Sequence, residues 1–260
     1  MNIESGIAAH YRLRQEDNDI IRDIRAHAAD PANLTLDDLR MYDDMHLGGR
    51  EATYYLADKM NLTADQRVLD VGSGRGGPAR VIADYKDVHV TGIDLTPAHK
   101  DMAEALSAMT GLENKTAFIT GSALNMPFEE SSFDAAYMIH VGMNIADKQA
   151  LFNDVARVLK PGVCFAVYDI TGEDNDSLPY PMPWSPDHRT SFVVPAQSYI
   201  HAMEKAGLHV LETEDRTAFA LETLQRYFSL VKETATLSRL YDLCVAGRCV
   251  PFIITARRPV

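Results

Sequence analysis

Between Val68 and Arg80 the chain reads VLDVGSGRGGPAR, an apolar run that ends in an acid, Asp70, and gives way to Gly72, Gly74, Gly76 and Gly77. An apolar run of this kind, followed at once by glycines and then by the helical segment PARVIADY, describes a strand, a tight turn and a helix. Glycines at such a turn let the backbone approach a ligand closely and take φ values that a Cβ forbids. That much bare backbone predicts a floor for a bound cofactor, against the alternative of a plain turn between strand and helix.

The rest of the chain repeats the pattern. Strands are predicted at RVLDV (67–71), VHVTGID (88–94), KTAFIT (115–120), FDAAYMI (133–139) and CFAVYDI (164–170). Between them PARVIADY, AHKDMAEALSAMT and DKQALFNDVARVLK read as helices. In the last, Leu151, Val155, Val158 and Leu159 share one face, and KPG (160–162) is expected to stop the helix. Alternation of this kind builds a mainly parallel sheet covered by helices. The proline-rich stretch TGEDNDSLPYPMPWSPDHRT is expected to be a long surface loop covering a site. A helix (195–206), a strand (209–217), a helical stretch (219–243) and a final strand (250–258) follow. In the stretch 219–243, Leu224, Phe228 and Val231 fall at helical spacing, a core face or a dimer face. Helical segments around Asp19 to Ala29 and Gly49 to Met60 suggest an N-terminal helical cap over 1–60, leaving 61–260 as the core with 171–194 as its covering loop.

A formal charge of −12 argues against a nucleic-acid substrate, because phosphate neutralisation needs a basic surface. Cys164, Cys244 and Cys249 are odd in number and scattered, so neither a disulfide framework nor a zinc site is expected. No apolar run approaches the roughly 20 residues that span a bilayer, and the first residues lack a signal-peptide core, so a soluble cytoplasmic protein is expected.

Gly72, Gly74 and Gly77 formally satisfy the dinucleotide pattern GxGxxG, and Asp94 lies where such a site places its ribose acid. A carboxylate there accepts from two hydroxyls, whether the ribose belongs to NAD or to S-adenosylmethionine. The alternative for Asp94 is a helix N-cap, a role that Thr96 before Pro97 fits better. The remaining motifs separate the cofactors. Asp70 before the glycines, GSALNMPFEESSFD (121–134), LFNDVARVLKPG (151–162) and a C-terminal pair of strands together resemble the class I S-adenosylmethionine-dependent methyltransferases. The resemblance covers nearly the whole chain. It is nearest to the sarcosine and dimethylglycine N-methyltransferase-like small-molecule subgroup, on DDMHLGGREAT (43–53), MIHVGMNIADK (138–148) and YPMPWSPD (180–187).

The resemblance implies a Rossmann-like α/β fold, a seven-stranded mostly parallel sheet with an antiparallel last strand and helices on both faces. It implies that Asp70, Gly72, Ser73 and Gly74 hold the methionine end of the cofactor, Asp94 and Leu95 the ribose, and Ser122 with Ala123 the adenine edge. The family usually has aspartate where this chain has Ser122, so adenine affinity is expected to suffer unless another group compensates.

His140 follows the fourth strand, at the sheet edge where open α/β folds bind ligands. It is a candidate catalytic base or cofactor contact, or a packed and satisfied histidine. Asn144 and His46 are polar residues in apolar contexts, suited to orienting a substrate or to satisfying backbone groups. Trp184 and Tyr180 offer aromatic faces to a substrate that becomes cationic, or pin the loop down. By resemblance alone, Tyr11 would close over the cofactor from the N-terminal segment. No metal ligand set is expected.

These readings predict a methyltransferase acting on a small polar acceptor, foremost an amine nitrogen of an amino-acid-like molecule. The alternatives are O- or C-methylation of a secondary metabolite, a cofactor-retaining protein that transfers no methyl group, and an NAD-dependent oxidoreductase. An apolar pocket around Trp184 and Met143 would favour O- or C-methylation. A carboxylate-binding arginine, with Arg189 and Arg12 as candidates, would favour the amino acid. No nucleic-acid or membrane partner is expected, and a homodimer is possible.

Overall fold

The computed structural model describes residues 3–12, 17–43, 46–173, 175–230 and 234–260. Four helices precede the first strand: α1 (Ile3–Arg12), α2 (Asp17–His27), α3 (Leu36–Asp43) and α4 (Gly49–Lys59). Then β1 (Arg67–Val71), α5 (Gly77–Lys86), β2 (His89–Asp94), α6 (Pro97–Met109) and β3 (Thr116–Thr120) form two successive βα units and a third strand. Next come β4 (Phe133–Ile139), α7 (Lys148–Val158), β5 (Leu159–Thr171), α8 (Ala196–Lys205), β6 (His209–Asp215), α9 (Thr217–Leu230), α10 (Ala235–Val245) and β7 (Val250–Arg257).

The strands form one seven-stranded sheet in the order β3-β2-β1-β4-β5-β7-β6. Strands β1 to β5 pair in parallel, and β7 lies between β5 and β6, antiparallel to both. The chain winds outward from β1 to β3 and then resumes beside β1 with β4, so the topological switch point falls between β1 and β4. Ligands of open α/β sheets bind in the crevice at such a point, outside the carboxyl ends of the strands.

Helices cover both faces, which is why β1 and β4 read as near-continuous apolar runs. On one face Val68, Val90, Ala135, Tyr137 and Tyr168 pack with Leu56 of α4, Ile82 of α5 and Leu240 of α10. On the other, Leu69, Ile93, Ala136, Met138 and Val167 pack with Phe152 of α7 and Tyr199 of α8. A third cluster joins Ile20 and Ile24 of α2 and Leu39 of α3 to Met102 and Leu106 of α6.

Arg80 on α5 is fully buried and closes these layers together. Its Nη2 donates to Asp43 Oδ2 at 2.7 Å and to the Arg75 carbonyl at 2.7 Å, and its Nη1 to the Ala103 carbonyl at 3.0 Å. One guanidinium thus ties the end of α3, the glycine turn and α6. A Cβ on Gly77 would lie 2.7 Å from Asp43 Cβ, so α3 seats directly on the first turn of α5.

Several expectations need correction. Two further helices, α1 and α3, precede the sheet. Helix α7 ends at Val158, and Lys160, Pro161 and Gly162 lie inside β5 instead of terminating the helix. The reason is a break in register between Phe133 and Ala135 of β4, where Gly162 takes φ 81° and donates to Arg258 O at 2.7 Å. A proline is tolerated in a strand at such an irregularity. The helical stretch 219–243 is two helices, with Thr234 capping the second; Leu224 is buried, and Val231 lies outside the described residues. The proline-rich loop is at the surface only in part: Glu173, Asp176, Pro179, Pro181, Pro186 and Arg189 are exposed, whereas Leu178, Met182, Trp184, Ser185, Ser191 and Val193 are buried.

Removing one partner of a fully buried ion pair leaves an uncompensated charge. Arg80→Met is therefore expected to lower the unfolding free energy by about 3–5 kcal/mol in a urea melt. The double substitution Arg80→Met, Asp43→Leu is expected to recover much of that loss; a double variant as unstable as the sum of the singles would contradict this account.

Candidate functional site

The carboxyl ends of β1, β2, β3 and β4 bring the glycine turn, Asp94, Ser122 and His140 to one edge of the sheet. The turn is held by its own backbone: Gly72 N and Ser73 N donate to Ile93 O at 2.8 and 3.0 Å, and Gly76 N to Ser73 O at 2.9 Å. Two glycines here have different reasons. Gly72 has φ 78°, and a Cβ on it would lie 2.6 Å from Val141 Cγ1, so packing forbids a side chain. Gly74 has φ 51°, and a Cβ on it would meet nothing within 4 Å. Its bare face looks into open space.

Asp94 holds the turn in place. Its Oδ2 accepts from Gly74 N at 2.8 Å, its Oδ1 from Thr96 N at 2.9 Å, and His99 Nδ1 stands 3.3 Å from Oδ1. Thr96 occupies the N-cap position of α6 but makes no side-chain capping bond. The capping role assigned to Thr96 thus passes to Asp94, whose carboxylate meets the Thr96 amide. Burial alone would raise the Asp94 pKa, but the hydrogen bonds from His99, Thr96 and Gly74 outweigh it and hold the carboxyl below its ordinary value.

Asp70 is in the opposite condition. It is 2% exposed, and its Oδ2 has no hydrogen-bond partner. Burial pushes its pKa up to about 7; the neighbouring Tyr137 phenol works against this and the Asp94 charge adds to it. Tyr137 is the register partner of Asp70, and its hydroxyl is likewise buried without hydrogen-bond geometry to any partner.

His140 caps the end of β4 with φ 54°, a conformation uncommon outside glycine, fixed by its amide donating to Tyr168 O at 2.8 Å. Its Nε2 is shut away from water and unpartnered, and its ring meets Tyr168 edge-on with centroids 4.8 Å apart. Burial, with His46 beside it, pushes the His140 pKa down to about 3. His46 lies 6.2 Å away, ring to ring. Its Nε2 is 2.8 Å from Gly49 O and 3.0 Å from Thr53 Oγ1, so it is engaged with α4, and burial lowers its pKa to about 4.

The other expected residues divide into two groups. Ser122 and the half-buried Ala123 and Leu95 lie beside the β3 and β2 ends. Asn144 and the loop aromatics are bound into the protein itself. Asn144 Nδ2 donates to the carbonyls of Trp184 and Thr190 at 3.0 and 2.9 Å, and its Oδ1 accepts from Tyr11 Oη at 3.0 Å. Trp184 is 2% exposed and donates from Nε1 to Ser191 Oγ at 2.9 Å. Tyr180 Oη donates within the loop to Asn175. Arg189 is turned to solvent and paired with Asp187 at 2.6 Å, and the Arg12 side chain lies outside the described residues.

The reading from sequence missed Tyr137, Tyr168, His99 and Glu4. Tyr168 carried a usable signal, being near the carboxyl end of a predicted strand. Glu4 carried none, since it meets Ser122 across 118 positions of sequence.

An unpartnered buried carboxylate oxygen, an open face over Gly74 and a row of polar groups along three strand ends fit an extended ligand that carries both a cation and a ribose. The comparisons with known proteins agree. Residues 69–167 match the protein family described as a methyltransferase domain. A sterol 24-C-methyltransferase from Aspergillus fumigatus is 32% identical over 209 residues, covering 75% of this chain and 53% of that protein. The sheet has the Rossmann-like fold of class I methyltransferases, and residues 69–167 are similar to a methyltransferase domain. The chain spans about half the length of the curated relatives it matches. Among solved structures, the methyltransferase fold is shared with geranyl diphosphate C-methyltransferase from Streptomyces coelicolor, with a TM-score of 0.77, 17% identity, and coverage of 99% of this chain and 98% of that one. A putative sarcosine dimethylglycine methyltransferase from Galdieria sulphuraria gives a TM-score of 0.72 at 21% identity, covering 84% and 94%. Among the described residues, no helix is long and apolar enough to cross a membrane.

Two predictions follow from this geometry. Gly72→Ala drives a Cβ into Val141 and is expected to destabilise the fold, whereas Gly74→Ala keeps it to within about 1–2 kcal/mol yet weakens S-adenosylhomocysteine binding. Equal effects of the two in melts and in titration calorimetry would refute the distinction. Asp70 binds a proton in the folded state that the unfolded chain loses above about pH 4, so its penalty is absent below that and grows until pH 7. Asp70→Asn is expected to gain stability over the wild type by about 2–4 kcal/mol more at pH 8 than at pH 4. A pH-independent difference would contradict the buried, raised carboxyl.

Proposed function

We propose that the protein transfers the methyl group of S-adenosylmethionine to a carbon atom of a largely apolar acceptor of the isoprenoid or sterol class. The carrying observation is the environment of Trp184 and Met143. Both are buried in one apolar cluster with Leu47, Leu178, Met182 and Val193, and the same cluster includes Ile139, Tyr168 and Ile170 of β4 and β5. Arg189, a candidate partner for an amino-acid carboxylate, is instead held by Asp187 in solvent. This favours the carbon-acceptor alternative over an amine of an amino-acid-like molecule. The likeness to a sterol 24-C-methyltransferase and to the fold of a geranyl diphosphate C-methyltransferase supports the same reading.

When bound, S-adenosylmethionine supplies an electrophilic methyl on a sulfonium sulfur. In this proposal Asp70 and the bare backbone of Gly72, Ser73 and Gly74 hold its methionine end, Asp94 with Leu95 the ribose, and Ser122 with Ala123 the adenine. An unpartnered Asp70 oxygen is suited to a ligand cation, which lowers the carboxyl's pKa and restores its charge.

An alkene carbon needs no base before methylation, since its π electrons are the nucleophile. The methylated acceptor carries a positive charge and must then shed a proton. His140 is suited to that step. Its depressed pKa keeps the ring neutral, and with the ring proton on Nδ1 the unpartnered Nε2 is an acceptor. A carbocation is acidic enough to give up its proton even to so weak a base. In this proposal the Tyr168 ring, edge-on to His140, gives the cation an aromatic neighbour.

The test is incubation with methyl-labelled S-adenosylmethionine and a panel of sterols with a side-chain double bond, geranyl diphosphate, sarcosine and dimethylglycine. Mass spectrometry is expected to find the label on a carbon of an isoprenoid acceptor, and His140→Ala to lower turnover by about 10²–10⁴-fold. Label on the nitrogen of sarcosine or dimethylglycine would overturn the carbon-acceptor reading.

A further inference from the structure

Ser122 stands where the family this chain resembles usually carries an aspartate, and the structure delivers a carboxylate to that point from the other end of the chain. Ser122 Oγ donates to Glu4 Oε1 at 2.5 Å and accepts from Leu124 N at 3.1 Å. We infer that Glu4, carried on α1, is the acceptor for the exocyclic amine of the cofactor's adenine, with Ser122 orienting it. The inference rests on the S-adenosylmethionine reading of the site and adds a binding residue to it.

Position supports it. Asp94 and Thr120 are register partners on β2 and β3, and Gly121 N donates to Asp94 O at 2.9 Å. Ser122 therefore sits about one strand spacing, about 4.8 Å, beyond the ribose acid and away from the switch point. A nucleoside whose ribose meets Asp94 puts its base at that step. The hydrogen-bond inventory supports it as well. The Ser122 hydroxyl has one proton, donated to Glu4, and one of its two lone pairs is engaged by Leu124. The half-buried Glu4 carboxylate uses one of about four acceptor positions in this bond. The stronger acceptor at this edge is thus the carboxylate.

Helix α1 runs along the row of strand ends. Glu4 meets the β3 end, the Tyr11 ring lies edge-on to His99 at 5.9 Å, and Tyr11 Oη bonds Asn144 beyond β4. Glu4 and Tyr11 are about 10 Å apart along the helix at about 1.5 Å per residue, enough with their side chains to bridge three strand spacings of about 4.8 Å. Ile7, between them, is buried. Docking of α1 and recognition of adenine are consequently one event, because the helix that covers the cofactor also carries its base acceptor.

A carboxylate accepts from an amine and repels a carbonyl oxygen, so the relevant probes are S-adenosylhomocysteine and its deaminated analogue S-inosylhomocysteine. Dissociation constants are measured by titration calorimetry on the full chain. The wild type is expected to prefer the adenosyl ligand. Glu4→Ala is expected to lose about ten- to hundredfold in affinity for it with little change for the inosyl ligand. Glu4→Gln, whose amide donates to a carbonyl, is expected to narrow the preference. Adding Ser122→Asp to Glu4→Ala is expected to restore adenosyl affinity, a rescue that a purely structural role for Glu4 does not permit. Unchanged adenosyl binding in Glu4→Ala, an equal fall for both ligands, or no rescue would overturn the inference while leaving the cofactor reading intact. A wild type that binds neither ligand would overturn the cofactor reading and this inference with it.

Discussion

A guanidinium in a protein interior is tolerated where its charge is answered, and Arg80 meets that condition by gathering three segments around its two Nη atoms. Asp43 answers the charge from α3, the guanidinium donates to the carbonyls of Arg75 in the glycine turn and Ala103 on α6, and Ser107 Oγ lies 3.4 Å from Nη1. The glycine turn is consequently pinned from behind by Arg80 and from the front by Asp94, through Gly74 N. Held by these two side chains and by the Gly72 and Ser73 amides on Ile93 O, the turn keeps its glycine face bare. Replacing such a pair by apolar residues can leave a fold as stable, so the pair is better understood as a device for register than as a source of stability.

In front of that anchored turn lies a group of buried polar atoms without partners. Asp70 Oδ2, Tyr137 Oη, His140 Nε2 and Tyr168 Oη are buried and unpartnered near the carboxyl ends of β1, β4 and β5. Native interiors leave few polar atoms in that state, and those few call for an explanation. Here a ligand supplies one, since a cationic ligand with polar substituents would give such atoms partners. The left-handed φ of His140 belongs to the same pattern of local cost concentrated where chemistry occurs. Trp184, Met143 and Leu178 belong to the packed apolar cluster on the same side of the sheet as Tyr137 and Tyr168.

Much of this was legible from residues alone. The strand RVLDV is β1 to the residue, and the strands at 88–94, 115–120 and 133–139 differ from β2, β3 and β4 by one residue at most. Parallel strands buried on both faces leave an unambiguous apolar signature, and the glycines mark the turn after the first. The antiparallel final strand came with the family resemblance. What escaped has common physical roots. The start of β5 at Leu159 depends on a register break that no local pattern encodes. The proline-rich loop reads as exposed because its composition forbids regular structure, yet Asn144, Asn175 and Ser191 supply the hydrogen bonds that let one side of it be buried. The Ser122 substitution was visible, but its compensation by Glu4 lies at the far end of the chain and needed three dimensions to find. Acceptor class depended on which side chains share a cluster and on whether Arg189 faces inward, neither of which spacing determines.

The most direct measurement is a crystal structure with S-adenosylhomocysteine bound. The account predicts its ribose hydroxyls on Asp94, its amino-acid end beside Asp70 with Oδ2 gaining a partner, and its adenine amine on Glu4 under α1. A ligand bound away from the β1, β2 and β3 ends, or an Asp70 oxygen still without a partner in the complex, would contradict it.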